Sequence, residues 1–165
     1  MKEDYQYEYT EGNFKKQYNL LEKYKKDTLL VQAVREKEFP LIVHAIKTGT
    51  NPHSLIYALY LASREGYLEA VKYLVESGVN INYNEGVTLE VAAMGGYLNI
   101  VKYLVEKGAN VNAHNTEALI VAAEHGHYDV VKYLVDMGAI VNERVLKVAI
   151  KRGRDDVIDF LRKNK

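Results

Sequence analysis

Residues 96–112 read GYLNIVKYLVEKGANVN, and nearly the same string stands at 66–82 as GYLEAVKYLVESGVNIN and at 126–142 as GHYDVVKYLVDMGAIVN. The spacing is 30 residues, and the core Val-Lys-Tyr-Leu-Val recurs unchanged at 71–75, 101–105 and 131–135. A fixed period of this size marks a repeat architecture and decides the fold before any single segment does. Working outward, Leu30, Ala33, Val34, Ile42, Ile46 and Gly49 match Leu119, Ala122, Ala123, Val131, Val135 and Gly138, which defines a divergent first copy. Leu146, Ala149, Ile150, Gly153, Val157, Ile158 and Leu161 continue the pattern to Lys165. The period predicts five repeats, at about 27–53, 54–86, 87–116, 117–142 and 143–165, preceded by an extension over 1–26.

Each unit carries two helical signatures. Leu89, Ala92 and Ala93 are spaced i, i+3, i+4 and form the apolar face of a short first helix. Gly96 is expected to end it at positive φ, with Gly95 still inside it, where alanine would serve at least as well. Leu98, Val101, Leu104 and Val105 give a second helix, closed by Gly108 in the same way. Helices this short cannot bury their own apolar faces, so the units must stack, and the chain is predicted to be an all-α solenoid. Alanines on the first helices let neighbouring units approach closely.

Composition fits this reading and narrows the chemistry. The chain has 165 residues, 48% apolar and 27% charged, with 22 basic and 22 acidic side chains and no cysteine. Disulfides, thiolate metal clusters and thiol nucleophiles are excluded. A neutral total gives no electrostatic reason to expect nucleic acid or an anionic membrane as partner. The amino terminus, Met-Lys-Glu-Asp-Tyr-Gln, turns acidic where a signal peptide would turn apolar, so a cytoplasmic or other intracellular location is expected. The longest apolar run, Leu55 to Ala62, has eight residues, against about 18 for a membrane span.

The unit Leu-x-x-Ala-Ala-x-x-Gly-His/Tyr-x-x-Val/Ile-Val-x-x-Leu-Val-x-x-Gly-Ala-x-Val-Asn resembles the ankyrin repeat over residues 27–165. Two features depart from the family. Its Thr-Pro-Leu-His opening is replaced by Val87-Thr88-Leu89-Glu90 and Glu117-Ala118-Leu119-Ile120, and the period is 30 where the family has about 33. The missing residues fall where the family builds its hairpin fingers, so short or trimmed hairpin loops are expected. This trimmed form is similar to ankyrin proteins of amoeba-infecting giant viruses, which would place it in a host cell. The resemblance implies a non-enzymatic protein-binding module without cofactor; a structural or self-associating component is the alternative, and a monomer is expected.

By the same resemblance, the residues just before the first-helix glycine face a concave groove. They are Arg35 and Glu36, Arg64 and Glu65, Met94 and Gly95, Glu124 and His125, and Lys151 and Arg152; the protein-binding set is centred on Arg64, Glu65, Met94, Glu124, His125, Lys151 and Arg152. The loop tips add Asn84, Glu85, Gly86, His114, Asn115 and Thr116 as a lesser surface.

Other recurrent residues read as framework. Tyr73, Tyr103 and Tyr133, among 14 tyrosines, form a packing ladder continued by Phe160. Lys72, Lys102 and Lys132 stand four residues before Glu76, Glu106 and Asp136, the spacing of helix-stabilising ion pairs. Asn82, Asn112 and Asn142 are expected to bond loop backbone. His125-Gly126-His127 lacks the further ligands a metal needs. Residues 143–165 hold eight basic and four acidic side chains, so Lys147, Lys151, Arg152 and Arg154 offer a surface for phosphate or an acidic partner, or simply solvate a terminal cap. In the extension, Tyr5, Tyr7 and Tyr9 precede an amphipathic pattern of Phe14, Tyr18, Leu21 and Tyr24 suited to a capping helix.

Overall fold

The computed structural model describes residues 26–164, so the tyrosine-rich extension and its expected capping helix lie outside the described residues. Ten α-helices follow in pairs: α1 (Lys26–Arg35) with α2 (Phe39–Lys47), α3 (Pro52–Arg64) with α4 (Leu68–Glu76), and α5 (Val87–Met94) with α6 (Leu98–Glu106). They continue as α7 (Ala113–His125) with α8 (Tyr128–Asp136), and α9 (Glu143–Lys151) with α10 (Asp155–Lys163). There is no β-strand among the described residues. None of these helices is long and apolar enough to cross a membrane.

First helices stack on first helices, from α1 through α9, and second helices stack on second helices, from α2 through α10. Contact is more extensive along the first row. The reason is the size of the side chains between them: Ala58, Ala62, Ala92, Ala93, Ala122 and Ala123 are fully buried there. Leu59, Leu89 and Leu119 on one row and Leu74, Leu104 and Leu134 on the other complete a continuous core. Each such leucine contributes roughly 1.5–3 kcal/mol by leaving water.

The turn inside each unit follows from glycine. In the third unit Gly96 sits at φ +70°, donating its N–H to the Ala93 carbonyl at 3.1 Å, while Tyr97 N–H reaches the Ala92 carbonyl at 3.0 Å. These two bonds satisfy carbonyls that the helix end would leave open. The first unit has Lys37 at the equivalent point, at φ +57°, with the matching bonds from Lys37 and Glu38 to Val34 and Ala33. A lysine thus holds a conformation in which the other units use glycine.

Between units the expected trimming of the fingers is realised as turns. Asn84, Glu85 and Gly86, and again His114, Asn115 and Thr116, run left-handed for three consecutive residues at φ between 49° and 83°. At the last junction the run is missing, and Asn142 caps α9 directly, its side-chain oxygen accepting from Val145 N–H at 3.1 Å. Of the loop-tip residues named above, Gly86 and Thr116 are buried, because the third left-handed residue already leads into the next first helix. They are not part of an accessible surface.

The asparagines do more than satisfy their own loops. Asn82 donates to the Gly108 carbonyl at 3.0 Å and accepts from Asn110 N–H at 3.1 Å, and Asn112 does the same with Gly138 at 3.0 Å and Ile140 at 2.9 Å. Each amide therefore clamps the loop of the following unit. On the second-helix side, Lys72 lies over the Tyr103 ring at 5.9 Å and Lys102 over Tyr133 at 5.7 Å. The ion pairs expected from these lysines to Glu76 and Glu106 do not form; the ring of the next unit takes the ammonium instead. Nor does Phe160 stack on Tyr133: it meets Tyr128 edge-on at 5.6 Å, as Tyr73 meets Phe39 at 5.6 Å. Burial, with a smaller contribution from Glu106, raises the Tyr133 hydroxyl above its ordinary pKa.

Candidate protein-binding face

The residues before the first-helix turns all lie at the carboxyl ends of the first helices, and they form two parallel rows across the units. Arg64, Met94, Glu124 and Lys151 make one, and Glu65, Gly95, His125 and Arg152 the other. Arg64 and Glu65 are exposed and bound to one another at 2.7 Å, with the guanidinium 5.8 Å over the Tyr60 ring. Its hydrogen bonds to Glu65 and then Tyr60 push the Arg64 pKa further up. Met94 is 40% exposed.

The fourth and fifth units are cross-linked along these rows. Arg152 binds Glu124 through Nε at 3.1 Å and through its terminal nitrogen at 2.6 Å. Those hydrogen bonds hold the Glu124 carboxyl below its ordinary pKa. Two helical turns earlier, Arg144 reaches Glu117 at 2.8 Å. Lys151 projects from the same helix end and remains exposed. His125 stacks on His127 with ring centres 6.1 Å apart and bonds the Val121 carbonyl through Nδ1 at 2.8 Å. No group of three or more histidine, aspartate or glutamate side chains among the described residues could hold a metal ion.

Beneath the rows runs a set of contacts that sequence reasoning missed. The residue after each turn glycine folds back over the preceding unit. Tyr67 donates to the Lys37 carbonyl at 3.2 Å, His127 Nε2 bonds the Met94 carbonyl at 2.8 Å, and Arg154 donates to the Glu124 carbonyl at 3.4 Å. Tyr97 lies against Gly66 and Gly95. The partners are separated by 30 to 33 residues, one repeat, so the period itself was the signal. Their consequence is that the exposed rows stand on a backbone fixed by the next unit.

The loop tips build a second, shallower feature. Glu85, Asn110, Asn112, Ala113, His114 and Asn115 line an open depression of about 420 Å³. His114 is paired to Glu90 at 3.1 Å, and the side chains of Asn110 and Asn112 are engaged with loop backbone.

Paired antiparallel helices, stacked in register and joined by left-handed turns and asparagine clamps, define a helical repeat array. The sequence matches the family described as ankyrin repeats (3 copies) over residues 30–115 and 112–165. The chain belongs to the ankyrin-repeat family. Ankyrin repeats are generally protein–protein interaction modules and typically non-enzymatic. A comparison with curated proteins gives no match.

Proposed function

We propose that this chain is a non-enzymatic module that binds a protein partner on its first-helix face, through Arg64, Glu65, Met94, Glu124, His125, Lys151 and Arg152. The observation that carries the reading is a contrast along one row. Arg64, Met94, Glu124 and Lys151 change from cation to thioether to anion to cation, while Leu59, Leu89 and Leu119 repeat unchanged and buried beneath them. Packing does not dictate that variation. The fuller contact between first helices supports curvature toward this face, which gives solenoids an extended concave surface for partners.

In this reading the chain acts as a monomer, without cofactor, inside the cell that makes it; with the viral origin its short period resembles, that cell is the host. The repeats begin and end near 27–53, 54–86, 87–116, 117–142 and 143–165. The test is affinity capture from a cell extract with the Met94→Glu, Lys151→Glu double variant. Capture is expected to disappear while helicity by circular dichroism stays that of the native chain. Retention of capture by this variant, with loss in Lys132→Glu on the second-helix side, would overturn the proposal.

A further inference from the structure

The first-helix face changes in chemistry from unit to unit along the stack. In the second and third units it presents large apolar groups to water: Tyr57 is 44% exposed, Met94 40% and Tyr97 37%. Tyr57 is held flat against Tyr60, with ring centres 6.0 Å apart and planes 14° from parallel. Side chains ordered before binding lose little freedom when a partner arrives, and Tyr, Met and Arg are enriched at the centres of interfaces.

The fifth unit adds basic groups beside Ile150, itself 50% exposed, and the reason lies in its pairing. Glu117 and Glu124 on α7 are both occupied, by Arg144 and Arg152 of the following unit. Lys151 and Arg154 are left without a carboxylate partner among the described residues, although the whole chain is neutral. The free acids of the last unit, Asp155, Asp156 and Asp159, belong to α10 on the second-helix row. Lys151 and Arg154, both exposed, therefore bring cationic charge to the fifth unit, Arg154 while bonding the Glu124 carbonyl through Nε, whereas the second and third units expose aromatic and thioether groups.

Resting on the function proposed above, we infer that this face takes a linear acidic peptide segment of the partner. Its apolar or aromatic side chains sit over Tyr57, Met94 and Tyr97, and its carboxylates reach Lys151 and Arg154. Charge complementarity selects this occupant over a basic one, since a basic segment would leave the two cations opposed by like charge. From the second unit to the fifth there are three steps of about 8–10 Å, the usual separation of packed helices. An extended chain advancing about 3.3 Å per residue spans them in roughly eight residues.

The experiment uses the full chain and two fluorescein-labelled ten-residue peptides. One carries Leu and Phe in its first half and Glu in its second; the other has Lys in place of every Glu. The acidic peptide should bind about tenfold or more tightly than the basic one at low salt and lose that advantage as salt is added. Lys151→Glu should erase the preference, and Met94→Ala should weaken the acidic peptide at all salt concentrations. Equal binding of both peptides, no binding of either, or a preference indifferent to Lys151→Glu would overturn the inference. So would a dimer seen by light scattering and dissociated by Met94→Glu, because the occupant would then be a second copy. Selection from a random displayed-peptide library separates the two levels: non-acidic binders lost in Met94→Glu overturn only the acidic assignment. Binders indifferent to both substitutions overturn the face itself.

Discussion

Gly96 and Gly108 close the two helices of one unit with the same backbone, at φ +70° and +93°, yet their surroundings are opposite. A Cβ at Gly96 would stand 2.5 Å from Nδ1 of His127 in the following unit, whereas a Cβ at Gly108 would meet nothing within 4 Å. One turn is fixed twice, by chain conformation and by the neighbour packed upon it. The other is held through its carbonyl by the Asn82 amide, with nothing packed against its α-carbon. A glycine pattern that repeats in sequence thus conceals two different physical demands, and of these two turns only the inner one would bring an added side chain against the next unit.

The largest expected effect sets the two turns side by side. Gly108→Ala should cost about 1 kcal/mol for a left-handed alanine, and Gly96→Ala roughly 3, because displacement of the imidazole adds to the backbone strain. Urea midpoints measure both. Equal losses would break the comparison, and a Gly96→Ala loss that falls to the Gly108→Ala level in a His127→Ala background would sharpen it.

Gly95→Ala comes next. Gly95 is right-handed at φ −78°, so helix propensity alone favours alanine there by up to about 1 kcal/mol. The structure reverses that expectation, since the Tyr97 ring occupies the space of the added methyl. A loss of about 1 kcal/mol is expected, turning to a small gain when Tyr97→Ala is present. A gain in the native background would mean that the ring moves aside freely.

Lys37→Gly tests the inner turn in the opposite direction. It should stabilise by up to about 1 kcal/mol, since relief of left-handed lysine exceeds the added freedom of the unfolded chain. A rise in thermal midpoint checks it; no change would show that the first unit accommodates lysine without strain.

The smallest effect is electrostatic. Arg152 holds the Glu124 pKa below its unfolded value, so the pair contributes above the unfolded carboxylate pKa and is lost as pH falls through the lower folded value. Glu124→Gln should therefore lower the thermal midpoint slightly at neutral pH and not at all once the native carboxylate is protonated. A difference between the variants that persists in acid would exclude the pair as its source.

Much of this was legible in the sequence because stacking is local: the 30-residue period, the alanines and the turn glycines each state their own requirement. The trimmed fingers followed from a residue deficit, and the rows at the first-helix ends from register. What escaped was the side chain that reaches exactly one unit away in space rather than along the chain. Nothing near Gly95 in sequence shows which way the Tyr97 ring turns, and Lys72 has Glu76 as its nearest counter-charge until Tyr103 is folded beside it. Lys37 escaped for another reason: a lysine carries no mark of positive φ, and only alignment with Gly66 could have disclosed it.

The asparagine clamps give the stack built-in reporters. Asn110 and Ile140 are exposed loop residues whose N–H groups would exchange hydrogen with solvent quickly if left free. Each is instead held by an oxygen of the preceding unit, from Asn82 or Asn112. Exchange at Asn110 then counts separations of the second unit from the third, and exchange at Ile140 those of the third from the fourth. A single deuterium-labelling experiment on the free protein, resolved by residue, would time the opening of each junction along the array without a probe being attached.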